Sequence, residues 1–239
     1  MKPIRLISGF LTVGLWTLAS RILGMVREIL LFSLIGAGPL LDAFFAAFRL
    51  PNMFRRFFAE GAFNSAFVPL ISKKYERKEN ATAFANEAMG SLAFVLLILT
   101  TISIIFMPAL IWAIANGFVG DERFEITVAF GRVMFPYIFL ISLAALLSGV
   151  LNALGYFAAA AAAPVLLNIT IIFGLCISFS FDWPIMTILI YSVPFAGILQ
   201  LIFLWSAAKK AGLIIRPSRP RLSKDMRTLV RVALSLIHI

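Results

Sequence analysis

The side chains that could do chemistry in this sequence are charged groups placed inside long apolar stretches. Two such stretches near the start of the chain hold five arginines and three acids: Arg21, Arg27, Arg49, Arg55, Arg56, Glu28, Asp42 and Glu60. An arginine at the centre of a membrane-spanning helix costs about 2.5 to 3.5 kcal/mol on insertion scales. Retaining several of them therefore indicates ion pairs, a water-filled cavity or a ligand.

Ion pairing within the two stretches accounts for part of this charge. Three pairs have helical spacing: Arg21 with Glu28, Arg49 with Asp42, and Arg56 with Glu60. These pairs use all three acids and leave two arginines over. The surplus predicts a cavity that accepts an anion, and a guanidinium suits phosphate because its planar fork donates two parallel hydrogen bonds. A bundle whose charges serve only to lock helices together is the structural alternative.

A proline limits what periodicity predicts for the second stretch. Pro51 is expected to interrupt this helix and to rotate the part that follows it. Spacing therefore leaves open whether Arg55 or Arg56 points inward. Further along the chain, Asn152 and Asn168 flank the break between two later stretches, where hydrogen bonding between helices is the favoured role.

Composition excludes a water-soluble globule and several kinds of site. Of the 239 residues, 62% are hydrophobic and only 13% are charged, which leaves more apolar surface than a soluble fold can bury. One histidine, His238, and one cysteine, Cys176, cannot form a His-based catalytic or zinc site, a disulfide framework or a thiolate cluster. We therefore expect no metal and no cofactor.

Six apolar segments are long enough to cross a bilayer, which requires about 20 residues per helix. The predicted helices cover roughly 6–35, 40–72, 84–115, 126–154, 158–181 and 185–208. The predicted fold class is thus all-α, a polytopic membrane helix bundle with six transmembrane helices in residues 1–208. A basic cytoplasmic loop is predicted at 209–225, and 226–239 is predicted to be the truncated start of a seventh helix.

The net charge of +10 indicates membrane topology rather than a nucleic-acid surface. Lysines and arginines concentrate before the first predicted helix, after the second and after the sixth. These positions lie on one side of the membrane if six helices alternate, and the positive-inside rule assigns that side to the cytoplasm. Both termini are therefore predicted to be cytoplasmic, and no nucleic-acid partner is expected.

A series of motifs extends from about residue 15 to the sixth predicted helix. The motifs are Ser20-Arg21-Ile22-Leu23-Gly24 with Arg27, Gly36-Ala37-Gly38, Asp42-Ala43-Phe44-Phe45, Arg49-Leu50-Pro51-Asn52, Phe58-Ala59-Glu60-Gly61-Ala62-Phe63, Phe135-Pro136-Tyr137, Leu151-Asn152-Ala153-Leu154 and Leu167-Asn168-Ile169. Together they closely resemble the lipid II flippases of the MurJ (MviN) family, in the multidrug/oligosaccharidyl-lipid/polysaccharide exporter superfamily. The resemblance implies two six-helix lobes around a central cavity, and this chain corresponds to the N-terminal lobe.

The resemblance also implies which residues bind the substrate. Carried over position by position, the family's essential cavity arginines fall on Arg21, Arg27 and Arg55, and its essential aspartate falls on Asp42. This correspondence favours Arg55 over Arg56 as the inward-facing residue.

Other charged residues of the first two helices are then expected to support the cavity. Supporting ion pairs are expected from four residues: Glu28, Arg49, Arg56 and Glu60. Hinges are expected at Gly24 and Pro51, where bending lets the first two helices gate the cavity.

The function that the resemblance implies is transport and not catalysis. A lipid II flippase moves an undecaprenyl-pyrophosphate-linked disaccharide pentapeptide from the inner to the outer leaflet of the bacterial cytoplasmic membrane, for peptidoglycan synthesis, by alternating access. The implied partners are this lipid and the membrane lipids, and the full-length protein is expected to be a monomer.

Two other functions stay open at this point. One is a related exporter of lipid-linked oligosaccharides or drugs, although an exporter of cationic drugs favours acids over arginines in its cavity. The other is a membrane enzyme acting on polyprenyl pyrophosphate. Such an enzyme needs a nucleophile or metal-binding carboxylates close together, whereas the acids here are spread along two helices.

Overall fold

The computed structural model describes residues 3–55, 62–77 and 79–237, and this part of the chain forms helices and no strand. Its α-helices are α1 (Pro3–Ile35), α2 (Pro39–Arg55), α3 (Ala62–Glu76), α4 (Ala81–Ile105), α5 (Met107–Ile114), α6 (Glu122–Met134), α7 (Tyr137–Ala153), α8 (Phe157–Phe181), α9 (Ile185–Lys210) and α10 (Lys224–Ile237). A short 3-10 helix, Asn116–Phe118, joins α5 to α6. The all-α prediction is confirmed for the described residues.

Some of the predicted long helices are divided in the structure. The predicted helix 84–115 breaks at Phe106, and the predicted helix 126–154 bends at Phe135 and Pro136. Prolines explain both changes, because Pro108 and Pro136 each lack the N–H that would continue the helical hydrogen bonds. The predicted helix 40–72 is present as α2 and α3, and residues 56–61 between them lie outside the described residues. Pro51 does not interrupt α2, which continues through it to Arg55.

Two of the predicted breaks between helices depend on glycine. Gly36 has φ +79° between α1 and α2, and Gly155 has φ +83° between α7 and α8. A side chain is strained in this left-handed region, whereas glycine adopts it freely. Both breaks were predicted from the sequence.

Four stretches in the described part of the chain are long and apolar enough to cross a membrane: Ala81–Ile105, Glu122–Ala153, Phe157–Phe181 and Ile185–Lys210. The helix α1 is longer, with 33 residues, but Arg21, Arg27 and Glu28 interrupt its apolar sequence. The structure therefore describes a membrane helix bundle, and the number of six spans stays a prediction.

Small residues bring the helices of the bundle close together. A Cβ on Gly174 of α8 would lie 2.5 Å from Ser192 Oγ of α9, and a Cβ on Gly197 of α9 would lie 2.8 Å from Tyr137 Cδ2 of α7. Close packing of this kind is typical of helices in membranes, where dispersion and hydrogen bonds replace the hydrophobic driving force. It joins α7, α8 and α9 into one wall, and α1 packs on the α8 side of that wall.

The segment between α9 and α10 crosses the first half of α4. Asn86 holds it twice, since its Oδ1 accepts from Arg216 N at 2.8 Å and its backbone oxygen accepts from Ser218 N at 3.1 Å. The helix α10 then packs against α3 and α4, and Lys74 Nζ lies 2.9 Å from Asp225 Oδ2. The predicted basic loop therefore folds back on the bundle, while its assignment to the cytoplasm stays a prediction.

Candidate functional site

A cavity of about 710 Å³ opens between α1, α2, α3, α7, α8 and α9. Its walls are single helical faces, as the spacing of their lining residues shows. The face of α1 consists of Val13, Ser20, Gly24 and Arg27; that of α2 consists of Phe48, Asn52 and Arg55; that of α7 consists of Tyr137, Ile141, Ala144, Ala145, Ser148 and Asn152. The cavity is therefore built by the packing of amphipathic faces and not by a loop.

Arg27 is held in the cavity by a neutral side chain on another helix. Its Nη1 donates to Asn168 Oδ1 at 2.9 Å, and Asn168 Nδ2 in turn donates to the backbone oxygen of Ser20 at 2.9 Å. The second bond fixes which end of the amide faces Arg27, because the nitrogen is already used by Ser20. The predicted role of Asn168 in hydrogen bonding between helices is confirmed, and its bond to Arg27 is a further role that the spacing did not predict.

An acid also contacts Arg27, but from the exposed side. Arg27 Nη2 lies 3.3 Å from Glu28 Oε1, and the side-chain exposures are 16% for Arg27 and 58% for Glu28. The 3.3 Å contact is longer than the 2.9 Å bond to Asn168, and Glu28 does not line the cavity. Of this pair, therefore, only the guanidinium faces the cavity.

Arg55 is the second arginine of the cavity. It is the last residue of α2, half-buried, and one turn before it Asn52 also lines the cavity. The neighbouring Phe54 ring packs edge-on against Phe135 with centroids 5.6 Å apart, which places Arg55 near the start of α7. Arg56 lies outside the described residues, so the structure places Arg55 in the cavity without a comparison between the two.

Two predicted substrate-binding residues lie away from the cavity in this structure. Arg21 is exposed and is not among the lining residues, because it sits about 90° around α1 from the centre of the face formed by Ser20, Gly24 and Arg27. Asp42 is also exposed, with its Oδ2 3.5 Å from Arg123 Nη1. The cavity thus brings together two of the four predicted residues.

Arg123 has two carboxylate partners. Besides Asp42, it contacts Asp121, with Nη2 2.6 Å and Nε 2.7 Å from Asp121 Oδ2, and its guanidinium lies 4.6 Å from the centroid of the Phe118 ring. The backbone N–H of Arg123 and then its side chain hydrogen-bond the Asp121 carboxylate, which lowers the pKa of Asp121 below its ordinary value. Helical spacing did not predict Arg123 as the partner of Asp42, because the two residues belong to helices that are far apart in the chain.

The ion pairs predicted from spacing are not the ones in the structure. Glu28 pairs with Arg27 instead of Arg21, because the two adjacent side chains reach each other on the exposed side of α1. Asp42 pairs with Arg123 instead of Arg49, because α2 packs against α6; Arg49 itself is exposed. The predicted pair of Arg56 with Glu60 lies outside the described residues.

The predicted hinges lie within continuous helices. Gly24 is in α1 and faces the cavity, where an added Cβ would make ordinary contacts with the Asn168 amide at 3.8 and 3.9 Å. Pro51 is buried inside α2. Because proline has no N–H, the carbonyl of Ala47 loses its helical partner there, which weakens α2 at that turn.

A buried hydrogen-bond chain supports the wall of the cavity. Tyr137 Oη donates to Gln200 Oε1 at 3.2 Å, and Gln200 Nε2 donates to the backbone oxygen of Ala163 at 2.8 Å. Tyr137 and Gln200 are each only 1% exposed. This chain connects α7, α9 and α8, and it was not predicted from the sequence because its partners lie 63 and 37 residues apart in the chain.

The described residues offer no group of three or more His, Cys, Asp or Glu side chains that could hold a metal ion. Cys176 is exposed on α8. The lining of the cavity is instead a combination of arginines, neutral amides, hydroxyls and apolar groups. Such a lining can bind an anion through Arg27 and Arg55 and an uncharged polar group through the amides.

Comparison with known proteins identifies the family of this chain. The family described as lipid II flippase MurJ matches residues 31–238. The chain belongs to the MurJ family. It is 45% identical over 237 residues to a probable lipid II flippase MurJ of Rhizobium tropici. The matched region covers 96% of this chain and 44% of that protein. The chain thus spans less than half the length of this curated MurJ relative.

Solved structures agree with the family and with the fold. A structure of the lipid II flippase MurJ in an inward closed conformation superposes with a TM-score of 0.70 and 26% identity, over 94% of this chain and 47% of that one. An outward-facing multidrug resistance transporter of the MATE family superposes with a TM-score of 0.69 and 15% identity, over 96% of this chain and 52% of that one. The second likeness shows the fold alone. MurJ and MATE proteins thus share the helical architecture described here.

Proposed function

We propose that this chain is the N-terminal part of a lipid II flippase and that its cavity binds the pyrophosphate of lipid II. The observation that carries the proposal is the arginine pair, Arg27 and Arg55, which lines one cavity in a chain of the MurJ family. Lipid II supplies the matching chemistry, since its pyrophosphate is an anion that accepts charge-assisted hydrogen bonds from guanidinium groups.

The charge of the cavity lining supports this proposal. Among the described residues the cavity is lined by Arg27 and Arg55 and by no Asp or Glu. A cationic drug would meet only repulsion from such a lining, whereas a phosphate is attracted to both arginines. This favours a lipid-linked anion over the drug cargo of a related exporter.

Arg21 and Asp42 act, in this proposal, at other stages of transport. Arg21 lies on the exposed side of α1 next to the cavity face, and it joins the arginine pair when α1 bends near Gly24. Asp42 acts through Arg123 by holding the start of α2 against α6. Bending of α2 at Pro51 is the matching movement, and Glu28 steadies Arg27.

The wider architecture is part of the same proposal. The chain contributes six spans that form one lobe, with its N-terminus in the cytoplasm, to a monomeric multi-pass protein of the bacterial inner membrane. Outward movement of an anionic substrate is favoured by about 2.3 kcal/mol per charge for each 100 mV of membrane potential, negative inside. The membrane potential can therefore drive transport, with no chemical reaction catalysed by the protein.

A test compares two arginines of α2 in the full-length protein. Arg55→Ala removes a cavity arginine, whereas Arg49→Ala removes an exposed arginine on the same helix, outside the cavity. We expect Arg55→Ala to lower the rate of lipid II flipping in proteoliposomes by about 10- to 100-fold, as for loss of a hydrogen bond to a charged group. Arg49→Ala is expected to keep the normal rate, and equal rates for the two variants would contradict the proposal.

A further inference from the structure

The cavity has two ends of different chemistry. The arginine pair lies near the start of α7, since Phe54 beside Arg55 packs on Phe135. Arg27 is at the same end. Its partner Asn168 lies on α8 little more than one turn beyond Ala163. Ala163 is at the level of Tyr137, the first residue of α7, because Gln200 hydrogen-bonds both. The cationic groups of the cavity therefore gather at one end of α7.

Neutral polar side chains lie further along the same cavity, toward the end of α7. Ser148 and Asn152 are one turn apart on its cavity face. Asn64 of α3 packs beside them, with Nδ2 3.5 Å from the backbone oxygen of Ala145. A Cβ on Gly149 would lie 2.8 Å from Asn64 Oδ1, so only glycine permits this approach. We call Asn64, Ser148 and Asn152 the amide patch.

The two ends of the cavity are further apart than the length of a pyrophosphate group. Ser148 is eleven residues and Asn152 fifteen residues beyond Tyr137 in one continuous helix. At 1.5 Å per residue these positions lie about 16 and 22 Å along α7 from the end where the arginine pair gathers. A pyrophosphate held at that end therefore lies well short of Ser148 and Asn152, whereas a saccharide attached to it extends toward them.

Asn152 has hydrogen-bonding capacity to spare. Its Oδ1 is buried and has no hydrogen-bond partner in the described part of the chain. An unsatisfied buried acceptor costs about 1 to 3 kcal/mol, and rotation about the Cβ–Cγ bond turns the amide toward the cavity that Asn152 lines. A ligand that brings hydroxyl or amide donors would remove this cost.

We propose that the amide patch is a second subsite, which binds the uncharged hydroxyl and amide groups of the saccharide portion of a pyrophosphate-linked lipid. The inference rests on the proposed function and extends it from the anion to the group that the anion carries. Amides and a hydroxyl both donate and accept hydrogen bonds, as sugar hydroxyls and N-acetyl groups require. None of the three side chains is charged, so the subsite discriminates by hydrogen bonding and not by charge.

The test measures the affinity of the full-length protein in nanodiscs for two probes, undecaprenyl pyrophosphate and lipid II. Ser148→Ala and Asn152→Leu are each expected to weaken binding of lipid II by about 3- to 10-fold, as for loss of one or two hydrogen bonds. They should leave the dissociation constant of undecaprenyl pyrophosphate unchanged. The matched control is Ser142→Ala, the same substitution on the same helix at a buried serine outside the cavity, and it should change neither constant.

The outcomes separate this subsite from the proposed function. If Ser148→Ala and Asn152→Leu leave both dissociation constants at their wild-type values, the amide patch does not bind the saccharide. If they weaken both probes equally, the patch supports the structure of the cavity only, and the inference is again wrong. If the wild-type protein binds neither probe, the proposed function itself fails, and the subsite with it. Should Asn152→Leu not fold, as judged by thermal unfolding, Ser148→Ala decides alone.

Discussion

Arg27 and Arg123 are two well-packed arginines with opposite surroundings. Their side chains are 16% and 30% exposed. Arg123 contacts two carboxylates and an aromatic ring, whereas the nearer partner of Arg27 is the neutral amide of Asn168, at 2.9 Å against 3.3 Å for Glu28. The difference shows how the chain separates two uses of arginine. Two carboxylates hold Arg123 where α2 meets α6, whereas a neutral amide at 2.9 Å and one carboxylate at 3.3 Å hold Arg27 in the lining of the cavity.

Removing each arginine should give the largest contrast. In the full-length protein, Arg27→Ala is expected to lower the rate of lipid II flipping by about 10- to 100-fold, because it removes charge-assisted hydrogen bonds to phosphate. Arg123→Ala should lower the same rate by less than about 3-fold, since Arg123 acts on the start of α2 and not on the ligand. Flipping assays in proteoliposomes measure both, and similar losses would erase the distinction between the two arginines.

Converting the surroundings of Arg27 into those of Arg123 should have an intermediate effect. Asn168→Asp places a carboxylate beside Arg27 and is expected to weaken binding of undecaprenyl pyrophosphate by about 10-fold, because the new charge competes with phosphate for the guanidinium. Asn168→Leu is the control, as it also breaks the bond to Ser20 but adds no charge. A loss of affinity no larger for Asp than for Leu would show that positioning, and not charge, is what Asn168 contributes.

The smallest effect should be on stability and should depend on pH. Arg123→Ala is expected to lower the melting temperature at pH 7. Since the folded-state pKa of Asp121 is below its ordinary value, its stabilising contribution is complete above the ordinary aspartate range, near pH 3.9, and is lost as the pH falls through the lowered pKa. The difference between wild type and Arg123→Ala should therefore shrink from pH 7 to pH 3. Thermal unfolding in detergent measures this difference in melting temperature, and Arg49→Ala, which removes an exposed arginine, is the control. A difference that does not depend on pH would mean that the carboxylates paired with Arg123 do not stabilise the fold.

The membrane character and most helix positions follow from the sequence for simple reasons. The apolar runs at 158–181 and 185–208 became α8 (Phe157–Phe181) and α9 (Ile185–Lys210), because glycine and proline mark their ends. Breaks inside helices were harder to locate. Pro51 stays within α2, while the chain breaks at Phe106, two residues before Pro108, so a proline by itself does not mark where a helix ends.

The candidate site was only partly predictable. The resemblance to MurJ pointed to Arg27 and Arg55, which line the cavity, and also to Arg21 and Asp42, which lie outside it in this structure. Helical spacing could not identify Asn168 or Arg123 as partners of charged residues, because each comes from a helix more than 80 residues away in the sequence. Local periodicity describes one helix at a time, whereas these partners depend on which helices touch.

The sequence by itself determined that this chain is an apolar helical bundle with arginines in its first helices, because composition and hydrophobic periodicity are local properties. Only the tertiary structure decided what each arginine does. Because α1 packs on α8, Arg27 hydrogen-bonds the neutral side chain of Asn168. Because α2 packs on α6, Asp42 forms an ion pair with Arg123. The charge available to a ligand is what remains after such contacts, so it depends on the contacts between helices and not on the number of charged residues.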